Sequence, residues 1–361
     1  MTRFTTLALL FLFLIGGTAV MAQDATAVPS AEPGATVEPQ EIIVLPASYS
    51  LGGIEFEYQG WNNCGPATIT NALSIFGYTE GQTRAANWLK PNREDKNVSP
   101  DQMVAFVNSQ VPELPVYALQ RVGGTLERLK QLISNDFPVV IEAGYDPEPD
   151  RLGWMGHYLL VSGYDDATAE FITQDSYLGP NHRYSYEHIQ RFWQHFNYTY
   201  IVVYESGREP ALLELLGEDA DVTQNALNAL ELATAEATAD RNNAFAWFNM
   251  GTNFVVLDVM DRAAVAYDEA RRIGLPWRML WYQFGPLEAY YEVGRYDDVI
   301  ALTSASQNDG GGHYVEETFY YKGLGRLGQG DTARAIENFR QAVNFNPNFT
   351  PAQDQLARLS Q

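Results

Sequence analysis

Cys64 is the only cysteine in the 361-residue chain. Without a partner for an internal disulfide it is a free thiol. It stands where the turn Gly60-Trp-Asn-Asn63 hands over to a run whose apolar residues Ile69, Ala72, Leu73 and Phe76 follow the i, i+3, i+4, i+7 offsets of one helical face. That spacing puts the thiol at a helix N-terminus, where unpaired N–H groups and the positive dipole end favour thiolate over thiol. A thiolate is a nucleophile for acyl transfer, but a thiol at its unperturbed pKa of about 8.5 is only a few per cent ionised at neutral pH and needs a base. Gln59, upstream in the same turn, can aim a side-chain N–H at an oxyanion, with Asn62 and Asn63 as alternative donors.

Five histidines could supply the base. His157 follows Trp154-Met-Gly156 and opens the apolar run His157 to Tyr164, so its ring projects from a strand end. Phe171 to Asp175 is a second short strand ending in a carboxylate, and the turn at Asp165-Asp166 lies about midway between the two. An antiparallel hairpin there brings Asp175 towards His157, where a carboxylate fixes the imidazole tautomer and stabilises the imidazolium. Asp165 and Asp166 are rival carboxylates. His182, His188, His195 and His313 show no ligand-like spacing, and there is no His-Glu-x-x-His or Cys-x-x-Cys. Neither a metal nor a cofactor is expected.

The order of glutamine, short spacer, Trp61-Asn-Asn-Cys-Gly-Pro-Ala67, helix and a later Gly-His strand resembles the papain-like cysteine peptidases. More narrowly it resembles the family of the bacteriocin-processing, double-glycine leader peptidases and their stand-alone secreted relatives, over roughly residues 50–205. The resemblance implies a triad at Cys64, His157 and Asp175, with Gln59 as oxyanion donor. It also implies an α+β papain-like fold in which the cysteine-bearing helix packs on an antiparallel sheet bearing the histidine. The pattern between Cys64 and residue 205 agrees: helices are expected at Ser99–Asn108 and Thr125–Ile133, then strands at Pro138–Tyr145, His157–Tyr164, Glu170–Gln174 and Tyr198–Tyr204. Helices first and strands afterwards is an α+β order.

Residues 1–22, with Arg3 before the apolar run Leu7 to Ile15 and small residues up to Ala22, read as a secretory signal peptide. No cysteine follows for lipid attachment, so a secreted or extracytoplasmic protein is expected, with no membrane contact beyond the signal. Residues 23–47 are Ala, Thr, Pro and Glu with almost no aromatics and read as a disordered linker. The chain's net charge of −22 excludes nucleic acid and anionic membranes as expected partners.

Residues 48–207 thus form the expected catalytic domain and 208–361 an all-α solenoid. Ala244–Pro276, with Trp247, Gly251, Ala263 and Tyr267, and Glu316–Pro347, with Phe319, Gly323, Ala335 and Phe339, share offsets and resemble tetratricopeptide repeats. A looser copy around Gly294-Arg-Tyr-Asp-Asp298 lies between them, its first helix expected to be kinked at Gly285-Pro286, and residues 211–243 read as one more degenerate unit. Trp277, Trp281, Tyr282, Tyr290 and Tyr291 read as groove fillers, with a recognition surface as the other reading. The function expected is a secreted cysteine peptidase acting on peptide or protein substrates, its repeats binding a protein partner or substrate. The rivals are an inactive papain-like scaffold and a cysteine amidase or acyltransferase acting on the cell wall. Chemistry needs only residues 50–205, so a chain ending near Gly207 is expected to hydrolyse a short peptide unless the array covers an apolar face of the catalytic part.

Overall fold

The computed structural model describes residues 45–146 and 153–360; the expected signal peptide and most of the expected linker lie outside them. The chain runs β1 (Ser48–Ser50), α1 (Cys64–Ser74), α2 (Gln82–Leu89), α3 (Pro100–Gln110), β2 (Val116–Arg121), α4 (Leu126–Ser134), β3 (Val139–Tyr145), β4 (Met155–Asp165), β5 (Glu170–Asp175), β6 (Gly179–Ser185), α5 (Tyr186–Trp193) and β7 (Tyr200–Glu205). Every strand pair is antiparallel, in the order β2-β7-β3-β4-β5-β6, and β1 joins the far end of β4 with Ser48 opposite Asp165.

The central strands are apolar at consecutive positions because both sheet faces are covered. Val139, Ile141, Leu159, Val161, Tyr200 and Val202 face a core completed by Leu129, Leu132 and Ile133 of α4 and Ile189 and Trp193 of α5. Val140, Tyr158, Leu160, Ile201 and Val203 face a second core with Ile69 and Leu73 of α1, Leu89 of α2, and Phe106 and Val107 of α3. Side chains alternate across a strand, so each strand feeds both layers.

The expected strands and the helices at α1, α3 and α4 are all present. α3 starts on a capping box between Ser99 and Gln102, and α4 on Thr125, whose hydroxyl accepts the Arg128 N–H at 3.0 Å. Five elements were not expected, the first being the three-residue strand β1. β2 and β6 are edge strands with few buried residues, and β6 begins Gly179-Pro-Asn181, a proline tolerated only where no ladder bond is lost. α2 buries only Gln82, Ala85 and Leu89, and α5 only Ile189 and Trp193, too few apolar positions for a helical period.

Beyond the 3₁₀ turn Ser206–Arg208 the chain is all helical: α6 (Glu209–Leu216), α7 (Val222–Ala239), α8 (Ala244–Val256), α9 (Met260–Ile273), α10 (Gly285–Glu292), α11 (Tyr296–Asn308), α12 (Glu316–Gly328), α13 (Thr332–Phe345) and α14 (Thr350–Leu359). Each of α7 to α14 packs on its neighbour in sequence, as in a solenoid. The repeat offsets have a steric cause. A Cβ on Gly251 of α8 would lie 2.7 Å from the Tyr267 ring of α9, and one on Gly323 of α12 would lie 2.5 Å from the Phe339 ring of α13. Only glycine lets those helix pairs close on an aromatic. The expected kink at Gly285-Pro286 is absent: Pro286 sits in the first turn of α10, where its missing N–H costs no helical bond, and a 3₁₀ turn at Met279–Trp281 precedes it.

The helical region lies against the sheet-bearing part at several places. Asn225 of α7 pairs both ways with the Val122 backbone, at 3.0 and 2.9 Å. Asn253 of α8 pairs with Asn197, Asn249 donates to Gln194 O at 2.8 Å, and Phe245 stacks on His195 at 3.7 Å. At the far end Asn348 donates to Trp88 O at 2.9 Å, while Asn97 and Gln102 reach Glu317 and Glu316. α6 itself supplies Leu212 and Leu216, both fully buried, to the α4–α5 core.

A chain ending at Gly207 therefore loses two core leucines, each typically worth about 2–5 kcal/mol, and bares the buried Asn197 and His195. We expect it to be aggregated or to lack a cooperative thermal transition by circular dichroism; a monomeric fragment melting like the full chain would show these contacts to be dispensable.

Candidate active site

The segment 51–63 lies along α1 and is held there by side chains of the helix. Ser74 Oγ accepts the Glu55 N–H at 2.9 Å, and Asn71 Oδ1 accepts the Glu57 N–H at 2.9 Å while its amide donates to Glu57 O at 3.2 Å. Gln82 of α2 ties the turn together. Its Oε1 accepts from Gly60 N and Asn63 Nδ2 at 2.7 and 3.0 Å, and its Nε2 donates to Tyr58 O at 2.7 Å. Asn62 takes a left-handed conformation, φ 54°, which asparagine tolerates, and turns the chain into α1. Cys64 is the first helical residue. An added Cβ on Gly65 would make a tight contact, 3.2 Å, with the Val98 side chain, and Pro66 falls in the first turn, where no backbone donor is missed.

α1 presses its N-terminal half onto β4, and Thr68 Oγ1 donates to Tyr158 O at 3.2 Å. This brings Cys64 to His157, whose side chains hydrogen-bond. On its other side the His157 ring gives Nε2 to Asp175 Oδ1 at 3.0 Å, leaving Nδ1 for the sulfur. Asp175, at the end of β5, is fully buried and fixed from three directions. Its Oδ1 accepts the Tyr177 and Leu178 N–H groups at 2.8 and 3.0 Å, and its Oδ2 accepts the Tyr184 hydroxyl of β6 at 2.7 Å. β4 and β5 pair with Tyr164 opposite Phe171, and a register shift follows between Val161 and Gly163.

The rival residues are engaged elsewhere. Asp166 accepts from Lys130 at 2.5 Å and from the Tyr186 hydroxyl at 2.7 Å, and Asp165 caps its own turn through Ala167 N at 3.0 Å. Asn63 gives its amide to Gln82, and Asn62 gives its to Glu94 O. Gln59 is bonded through its backbone N–H to Ser176 O and through Oε1 to the Ser176 hydroxyl, at 2.8 and 2.9 Å. Among the described residues no acceptor takes its Nε2, so that donor is left to the cleft. Of the other histidines, His195 is buried between Trp154 and Phe245, and burial pulls its pKa down to about 3.

The electrostatics favour an ion pair. Burial alone would push the Cys64 thiol up, but the hydrogen bond and charge of His157, with the Tyr158 and Gly65 backbone, bring it below the ordinary thiol range. Burial would likewise lower His157, yet the Asp175 charge and hydrogen bond and the Cys64 sulfur raise it to about 10. Asp175 is held far below the carboxylate range: burial works against this, and the His157 charge and the His157, Tyr184 and Leu178 hydrogen bonds overcome it. Between the two titrations the stable form is thiolate beside imidazolium.

Sequence reasoning missed two ionisable groups. Lys90, buried at the end of α2, donates Nζ to Trp61 O and Asn63 Oδ1 at 3.3 Å and to Arg93 O at 3.0 Å, which places a cation behind the cysteine turn. Glu142 of β3 is buried opposite Tyr158, and burial drives its pKa well up, so it stays neutral beneath α1. Neither carries a spacing signal; both are identified only by what packs around them. Among the described residues no set of three or more His, Cys, Asp or Glu side chains is arranged to hold a metal ion.

Two outcomes follow. The pH profile of Cys64 alkylation by iodoacetamide should start below the ordinary thiol range and move up to it in His157→Ala. Loss of the His157 proton near pH 10 leaves the thiolate in place, so alkylation by this neutral reagent should persist on the alkaline side; a profile unchanged by His157→Ala would show the two groups to be uncoupled. Asp175→Ala leaves a buried imidazolium unpaired and should cost about 3–5 kcal/mol in denaturant unfolding. Asp175→Asn, which keeps an acceptor for Nε2–H, should cost clearly less and retain more of any activity.

Residues 52–201 match the model of the Peptidase_C39 like family. No curated protein matches the chain. Among solved structures, a Bacillus anthracis protein described as a C39-like peptidase is 15% identical, with a TM-score of 0.35, over 44% of this chain and 97% of its own. The MamA RS-1 ArsTM double mutant is 16% identical, with a TM-score of 0.33, over 37% of this chain and 74% of its own. The segment that carries Gln59, Cys64, His157 and Asp175 is a papain-like domain of the C39-like peptidase family.

Proposed function

We propose that this chain is a secreted cysteine peptidase that cleaves peptide bonds by acyl transfer through Cys64, His157 and Asp175. The observation that carries the reading is the continuous hydrogen-bonded chain from Cys64 through His157 to a buried Asp175, with the thiol lowered and the imidazole raised. The Cys64 thiolate attacks the scissile carbonyl carbon and its electron pair moves onto the oxygen. That oxyanion is met by Gln59 Nε2 and the Cys64 backbone N–H, a pair of donors of which one is typically worth ~10²–10³ in rate. Collapse expels the amine, which takes the proton from His157. Water, deprotonated by His157, then attacks the thioester, and release of the acid restores the thiolate beside the protonated His157. Asp175 keeps the ring oriented and its charge compensated in each half.

Secretion rests on residues 1–22, whose charge and apolar run suit export; no described helix is long and apolar enough to cross a membrane. The helical region serves the same reaction by presenting substrate or a partner beside the cleft.

Cys64→Ala should abolish hydrolysis of an unstructured protein such as casein while leaving the thermal transition in place, since a half-buried thiol gives way to a smaller group. An electrophilic peptide analogue should label Cys64 in the parent chain alone. Equal proteolysis by parent and variant, or absence of labelling, would sink the peptidase reading.

A further inference from the structure

The His157 ring is oriented by its hydrogen bonds to Cys64 and Asp175, but where it stands is set by the strand that carries it. That stretch of β4 has a ladder partner on one edge only. Met155, Gly156 and His157 pair with Tyr145, Gly144 and Ala143 of β3, whereas the ladder to β5 begins three residues later, at Leu160. Element ends with few partners are the first parts of a fold to open.

The second support comes from the helical region. Gly144 and Gly156 stand opposite each other, two residues along from Glu142 and Tyr158, and so share the face of the sheet that α1 covers. Two facing glycines leave a notch there. Rings fill it: a Cβ on Gly156 would lie 2.8 Å from the Phe196 ring and 3.0 Å from the Tyr282 ring, and one on Gly144 would run into Trp154 and His195. A side chain at either position would have to displace a ring.

Of the rings against Gly156, Tyr282 is the one that the helical region supplies. It meets Trp154 and Phe196 edge to face, with centroids 5.9 and 6.1 Å away, and those two stack on each other at 5.8 Å. The turn that bears it is tied on both sides. Arg278 donates to Trp154 O at 3.2 Å and Gln283 donates to His195 O at 2.9 Å. Between these ties the 3₁₀ turn Met279–Trp281 delivers Tyr282 to the notch. Burial first, and the Cys64 charge next, raise the Tyr282 phenol, while the Gly156 N–H bonds to its oxygen. The ring thus lies over the Gly156 backbone, one residue before His157.

We propose that Tyr282 is a positioning residue for His157: its ring, set into the Gly144–Gly156 notch, holds the start of β4 so that the imidazole meets both Cys64 and Asp175. The helical region thereby enters the reaction through one side chain. The inference rests on the peptidase reading for its effect on rate; the state of the thiol is read without it.

The test compares Tyr282→Ala and Tyr282→Phe in the full chain. Loss of the ring should cut kcat on casein by ~10², the scale of a group displaced by about 1 Å, with KM near the parent's. Tyr282→Phe keeps the ring and should restore kcat. In parallel, the pH at which iodoacetamide begins to alkylate Cys64 should rise towards the ordinary thiol range in Tyr282→Ala, because the imidazolium no longer meets the sulfur, and should stay at the parent's value in Tyr282→Phe. A variant that is merely less stable leaves that pH where it was. Circular dichroism establishes that each variant is folded, and Tyr282→Val takes the place of Tyr282→Ala if the latter is not. A folded ring-less variant with the parent's kcat and alkylation profile overturns the proposal, and so does a fall in kcat without the alkylation shift. Tyr282→Phe falling as far as Tyr282→Ala also overturns it, since the hydroxyl and not the ring would then be at work. A parent chain that hydrolyses nothing defeats the peptidase reading, while the alkylation shift still decides the positioning role; hydrolysis that no Tyr282 variant alters does the reverse.

Discussion

A thiolate and an imidazolium persist side by side only where each is the other's nearest charge and the surroundings supply the remaining partners. Here that condition depends on one contact, the seating of the α1 N-terminus against the start of β4. Thr68 bonds the β4 backbone, Gly65 lets the helix close on Val98, and residues Gly65–Ser74 are all buried. A helix buried along its length cannot shift without opening the layer on its face of the sheet, so the Cys64 to His157 approach is held by the core itself.

The carboxylate end is held differently. Asp175 is fully desolvated, a state that is costly for a charge unless its lone pairs are met. Two backbone N–H groups, the Tyr184 hydroxyl and the imidazole meet them. β6 supplies the tyrosine, which gives a short polar edge strand a purpose that its burial alone does not explain.

The helical region closes on the sheet-bearing part through polar contacts as much as apolar ones. Asp95, Glu316 and Glu317 are buried together at one end of that interface, where burial first and their mutual charges next raise Asp95 and Glu317 well above the carboxylate range. Asn97, Gln102 and Asn346 donate to the two glutamates. Such a cluster adds little net stability compared with apolar packing, but it penalises any other docking of the helices, because misplacement would leave buried carboxyls without donors.

Cysteine solitude, the helical offsets after Cys64 and the apolar runs at β3, β4, β5 and β7 are local patterns, and they were legible in the chain as written. So was the pairing of His157 with Asp175, because a hairpin with a short turn leaves little freedom of register. The glycine and aromatic offsets of the helical region were legible for a similar reason: each pairs residues sixteen apart across one helical turnaround, as Gly251 with Tyr267 and Gly323 with Phe339. What only the tertiary structure decided comes from contacts between segments distant in sequence. Gln59 Nε2 has no acceptor among the described residues because Ser176, 117 residues away, takes the amide oxygen, while Asn63 and Asn62 each give one amide N–H to Gln82 and to Glu94 O. The Lys90 cation behind the cysteine turn and the approach of Tyr282 to Gly156, next to His157, are likewise set by packing, which no local period encodes.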